Sequence, residues 1–176
     1  LEYALNINGV KTSEVDLDTS IDFASMSGAF IGGTGDFVSL FEPTASSLEK
    51  EGYGYIVASV GELGGDVPYT AYNAKKSYIE GNKDVIKGFT KATQLGLDYV
   101  HNHTSLEVAK VIESYFPDTK FDDLVDIVQR YMDIDSWYDT TSISEKDFNH
   151  IQDIMKNASK LDKKAPYDKL VVNYAG

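Results

Sequence analysis

Between Gly28 and Pro43 the chain reads GAFIGGTGDFVSLFEP, and this stretch constrains the fold more than any other. Gly32, Gly33 and Gly35 end a helical pattern, because glycine takes the backbone conformations that stop a helix. The apolar run Phe37–Phe41 follows and reads as a strand. Glu42 and Pro43 close it, with Pro43 at the position favoured for the first residue of a helix and Glu42 at the cap. Helix, glycine turn, strand and helix in succession point to an α/β layer, a sheet with helices on its faces. An acidic residue where a strand ends and a helix begins is a candidate ligand contact. Ligands of open α/β sheets bind beyond the carboxyl ends of strands, and a helix N-terminus stabilises negative charge. A plain capping carboxylate is the other reading of Glu42.

The neighbouring segments extend the pattern. Leu1, Leu5 and Val10 share the apolar face of an opening helix that stops at Gly9. Val15–Thr19 alternates apolar and polar residues and predicts a strand. Ser20 offers an N-cap to a helix over Phe23–Phe30. A further strand is expected over Tyr55–Val60 (YIVASV), and one more over Tyr69–Asn73. The glycine-rich Gly61–Pro68 (GELGGDVP) is the expected boundary. Beyond it the pattern is almost wholly helical. Asn82 caps a long helix. Thr104-Ser-Leu-Glu107 forms a capping box, Thr119–Asp122 opens another helix, and Ser144-Glu-Lys-Asp147 opens a fourth with Ile143 and Phe148 as its staple. Three or four strands are few for a stable sheet. The chain also opens within a helical pattern and without Met. It is therefore expected to be a piece of a longer protein.

Composition narrows the function. Twenty-eight acidic residues against 16 basic ones leave a net charge of −12, which disfavours nucleic acid as a partner. No apolar run has the length of a membrane span. The absence of cysteine removes disulfides, thiolate metal sites and cysteine nucleophiles. Gly33-Thr34-Gly35 is not a phosphate loop, since its glycines precede a strand instead of following one. His101 and His103 point to different helix faces and do not make an i, i+4 metal pair; His150 reads as a solvent-facing residue. Trp137 packs on the core or lines a cleft. No Ser-His-Asp spacing and no nucleophile elbow are present, so no catalytic residue, cofactor or metal is assigned.

Taken together, GAFIGGTGDFVSLFEPTASSLEKEGYGYIVASVGE resembles the corresponding stretch of substrate-binding proteins of ABC importers, in the nitrate, sulfonate, taurine and thiamine-pyrimidine class. Pro68-Tyr-Thr-Ala-Tyr, the helix from Asn82, Trp137 with Ile143–Met155, and the closing Lys163–Val172 are similar to that class in the same order. The resemblance implies a type II periplasmic-binding-protein fold, two α/β lobes closing on a small molecule. It maps residues 1–66 to most of the second lobe. Residues 67–176 become the interlobe crossover and the helical C-terminal part of the first lobe. The N-terminal half of the family, with its signal or lipoprotein segment, lies outside this sequence.

By the same resemblance Phe41 and Glu42 face the cleft, and Ser20 and Ile21 hold a polar or anionic ligand group through backbone N–H groups. Tyr69 lies near the hinge. A carboxylate suits a ligand that donates hydrogen bonds, such as an aminopyrimidine, better than sulfonate or nitrate. The implied function is capture of a small molecule outside the cytoplasm and delivery to an ABC transporter permease, without catalysis. The alternatives are an enzyme of thiamine-pyrimidine or menaquinone synthesis, or a regulatory effector domain, on the same fold. A truncated sheet would also expose edges that favour dimerisation.

Overall fold

A computed structural model describes residues 1–174. Ten α-helices follow one another: α1 (Glu2–Ile7), α2 (Met26–Ile31), α3 (Thr44–Lys50), α4 (Val60–Gly64), α5 (Lys76–Gly81), α6 (Lys83–Asn102), α7 (Ser105–Ile112), α8 (Phe121–Asp133), α9 (Glu145–Asn157) and α10 (Tyr167–Leu170). Short 3-10 turns precede α2 and follow α1 and α7.

Among the described residues there is no β-strand, and this corrects the α/β, periplasmic-binding-protein-like expectation. Val15–Thr19, Phe37–Phe41, Tyr55–Val60 and Tyr69–Asn73 all lack ladder pairing. A strand exists only through hydrogen bonds to a partner strand, and two of the backbone N–H groups in these segments bond locally instead. The Ile56 N–H donates to Glu49 Oε1 at 2.9 Å, and the Tyr69 N–H donates to the Val67 carbonyl at 2.8 Å. Val60 itself starts α4, within the stretch expected to be strand and then loop. Dimerisation through sheet edges loses its basis with the sheet, since the described residues have no such edge.

The chain divides into two compact units. Unit 1 comprises residues 1–64 and 105–134, and unit 2 comprises residues 65–104 and 135–176. Among the described residues, the seven buried apolar ones lie in unit 1: Ala4, Leu48, Val108, Ala109, Leu124, Ile127 and Val128. Five of them come from the α7–α8 pair, at the i, i+1 and i, i+3, i+4 spacings that place side chains on one helix stripe. Leu48, on α3, is buried in the same unit. α1 and α4 meet where Gly64 lies against Ala4, and Asn8 Nδ2 bridges both helix ends, donating to the carbonyls of Ala4 at 2.8 Å and Leu63 at 3.0 Å.

Unit 2 is organised around buried polar groups. Ser144 caps α9: its Oγ accepts from the Asp147 N–H at 3.1 Å and donates to Asp147 Oδ2 at 2.5 Å. Tyr138 donates its hydroxyl to the same carboxylate at 3.2 Å. Gln152, 5% exposed, pairs with both backbone groups of Ala165, accepting its N–H at 2.6 Å and donating to its carbonyl at 3.3 Å. Buried polar groups need such partners, because leaving one unsatisfied forfeits its hydration. No helix among the described residues is long and apolar enough to cross a membrane.

Candidate functional site

In unit 1 the chain turns from Phe41 into α3 at Glu42. The Glu42 side chain is 6% exposed. Its Oε2 accepts the Ser46 N–H at 2.9 Å, and its Oε1 lies 3.4 Å from Arg130 Nε. The carboxylate thus satisfies a first-turn N–H of α3, a capping role carried out one residue before the N-cap, Pro43. Arg130, the single arginine of the chain, also donates from Nη2 to Glu49 Oε2 at 3.2 Å. One guanidinium on α8 therefore holds both ends of α3. Beside it the Tyr131 hydroxyl accepts the Glu42 N–H at 3.4 Å. Burial pushes the Tyr131 phenol above its ordinary value; the Glu42 N–H bond opposes this and the Glu42 charge adds to it. Glu49 is held below the ordinary carboxylate range, first by the Ile56 N–H and then by Arg130.

The outer face of α3 carries a second set of charges. Lys50 Nζ lies 2.6 Å from Asp123 Oδ1 and 3.2 Å from Asp126 Oδ2. The Asp123 hydrogen bond is the main cause that raises the Lys50 pKa. A groove of about 400 Å³ opens here, lined by Pro43, Ser46, Ser47 and Lys50 on one side and Thr119, Lys120 and Asp123 on the other. That volume lies within the range of small-molecule sites. Ser46 Oγ is buried at its edge with no hydrogen-bond partner among the described residues. The lining is polar and of mixed charge.

The residues singled out from the sequence fall in different places. Phe41 is half exposed and packs on Phe23, with ring centroids 5.6 Å apart. Glu42 follows it directly in sequence, and neither residue lines the groove. Ser20 is exposed, and both its N–H (2.8 Å) and its hydroxyl (2.6 Å) donate to Asp18 Oδ1. The Ser20 hydroxyl, then its N–H, lower the Asp18 pKa, so an anion approaching Ser20 meets a carboxylate. Ile21 is half-buried beside it. Tyr69 is exposed and belongs to unit 2.

Arg130, Tyr131, Ser46 and Glu49 were not legible as site residues from local pattern. The one available signal was the lone arginine in a chain with 28 acidic side chains. In unit 2, His101 Nε2 is 3.6 Å from Asp139 Oδ1, and the His103 ring stacks on Tyr99 at 3.7 Å. No group of three His, Cys, Asp or Glu among the described residues could hold a metal ion.

Comparison with known proteins places the chain in a group. No solved structure matches it. Among curated proteins it is 40% identical over 171 residues to "Putative binding protein YtlA" of Bacillus subtilis (strain 168), across 97% of this chain and 51% of that protein. The chain therefore spans about half the length of the curated relative it matches. The NMT1/THI5 like family model matches residues 1–105 of the 176. The chain belongs to the NMT1/THI5-like family.

Proposed function

We propose that this chain is part of an extracytoplasmic solute-binding component of an ABC importer, a lipid-anchored or periplasmic protein that passes a small molecule to a permease without catalysis. The observation that carries this reading is the match along 97% of the chain to a relative named as a binding protein, together with membership of the NMT1/THI5-like family. The half-length match supports a longer natural protein, with the remaining ligand contacts supplied by the portion not seen here.

Within unit 1 the groove between α3 and the start of α8 is the concavity proposed for the solute. Phe41 and Glu42 lead into Pro43, which lines it, and Glu42 fixes the start of α3 through Ser46 and Arg130. Ser20 and Ile21, also in unit 1, are the further proposed contacts. Unit 1 carries seventeen acidic and five basic side chains. Such a field repels anions, which favours a neutral or cationic heterocycle of the thiamine-precursor, aminopyrimidine kind over sulfonate or nitrate.

A thermal-shift comparison tests the reading, with aminopyrimidine, taurine and nitrate as probes, on this chain and on the full-length Bacillus relative. One bound site at a hundredfold excess over Kd stabilises by about 2.7 kcal/mol. Stabilisation of either protein by the pyrimidine supports solute capture. Unchanged melting of both proteins with all three probes removes it.

A further inference from the structure

Asn8 is the bracket between α1 and α4. Its Nδ2 donates to the carbonyls of Ala4 at 2.8 Å and Leu63 at 3.0 Å, so both amide protons are used, one on each helix. α1 has six residues, and its buried residue is Ala4, set against Gly64 of α4. A helix this short is not held by its own propensity. Its place in unit 1 depends on contacts such as this bracket.

The next residue is Gly9, and this is the only Asn-Gly pair in the chain. An asparagine amide is chemically labile. The reaction is intramolecular: the main-chain nitrogen of the following residue attacks the amide carbon, and glycine obstructs that approach least. Gly9 takes φ +86°, and a Cβ built on it would meet nothing within 4 Å. Both residues are exposed, so water and hydroxide reach them.

While α1 is docked the reaction is held back. Asn8 ψ is 15°, far from the value that brings the Gly9 nitrogen onto Cγ. The amide is tied to two carbonyls, and the Gly9 N–H donates to the Asn6 carbonyl at 3.2 Å. The chemistry therefore waits on local opening of α1.

We propose that Asn8-Gly9 is a self-modification site that releases α1 from α4 in one direction. On opening, hydroxide removes the Gly9 N–H proton and the nitrogen attacks Asn8 Cγ. The new N–Cγ bond forms, the Cγ–Nδ2 bond breaks, and Nδ2 takes a proton from water and leaves as ammonia. A water molecule then opens the cyclic imide at either carbonyl, giving aspartate or β-linked isoaspartate. One water is consumed, one ammonia is released, and nothing is oxidised or reduced. The product cannot rebuild the bracket. A carboxylate has no proton to donate, so it would bring negative charge against two carbonyl oxygens. Unit 1, with seventeen acidic and five basic side chains, also gains one more negative charge.

The test is ageing of this chain at mildly alkaline pH, with and without urea, followed by peptide mapping by mass spectrometry and enzymatic methylation of isoaspartate. Asn8 should convert before the other seven asparagines, and more slowly in the native chain than in urea. Ala4→Gly, which weakens α1, should speed conversion of the native chain by about fivefold and leave the rate in urea unchanged. Asn8→Asp stands for the product. It should quicken amide exchange at Leu5 and Val10, whose N–H groups bond to the Leu1 and Leu5 carbonyls, by about tenfold, and leave α7 and α8 unaltered. Prior conversion of another asparagine, equal rates in both solvents, or unchanged exchange in Asn8→Asp each overturns the proposal.

Discussion

Removing the Glu42 carboxylate should destabilise unit 1 more than any other single charge deletion, and the size follows from its surroundings. Glu42→Ala loses a hydrogen bond between a charged acceptor and the Ser46 N–H, worth about 1.5–3 kcal/mol. It also takes one partner from Arg130. Breaking a fully buried pair costs about 3–5 kcal/mol, but Arg130 is a third exposed and keeps Glu49 at 3.2 Å, so this part shrinks to about 1 kcal/mol. The expected cost of Glu42→Ala is therefore about 3 kcal/mol. Glu42→Gln keeps an oxygen for the Ser46 N–H and should cost about 1 kcal/mol. Urea unfolding followed by circular dichroism reads both values, and amide exchange at Ser46 reads the local loss directly. A double cycle with Arg130→Met should give a coupling of about 1 kcal/mol. If both Glu42 variants unfold within about 0.5 kcal/mol of the parent, the capping account of this carboxylate is wrong.

Three further outcomes follow from other parts of the molecule. Leu124→Ala, at a residue 2% exposed in the α7–α8 core, should cost about 2–5 kcal/mol in denaturant unfolding, and Leu124→Met less than about 1.5 kcal/mol. Ser144→Ala removes the α9 cap and one donor to the buried Asp147, and should cost about 1–2 kcal/mol. The pH profile of stability has two limbs. Glu49 and Asp18 are depressed in the folded state, so their contribution is present above the ordinary carboxylate range, about pH 4, and is lost as pH falls through their folded values. Lys50 and Tyr131 are raised, so theirs is complete below about pH 10 and is lost as pH rises through their folded values. The difference in tyrosinate absorbance between the parent and Tyr131→Phe should titrate above the ordinary tyrosine range, a direction that Tyr138 shares through its hydrogen bond to Asp147. A difference that titrates with the bulk would remove the burial of that phenol.

Local sequence carried the helices well where the signal lay within one turn. Ser144 caps α9 as its pattern requires. Gly33 and Gly52, at φ +89° and +81°, stand where the α2 and α3 patterns stop. α6, α7 and α8 begin within a residue or two of Asn82, Thr104 and Thr119–Asp122. The Ser144 cap and the glycine stop are contacts between near neighbours, so they depend little on the rest of the chain. The Glu42-Pro43 junction was legible to the same degree, as a carboxylate at a helix start.

The strands were not determined in this way. Alternation in Val15–Thr19 specifies which side chains share a face, but a strand also needs a second strand at the right register, and that partner is remote in sequence. The same reason hid the site. Glu42 meets Tyr131 at a sequence separation of 89, and Glu49 meets Arg130 at a separation of 81. Composition and local spacing determined the helices, the caps and the acidic character of this protein. Tertiary structure alone decided that its extended segments stay unpaired, that one arginine clamps both ends of α3, and that the acidic charge gathers in one unit. Each of these depends on which distant residues are brought within a few ångströms, which no local pattern encodes.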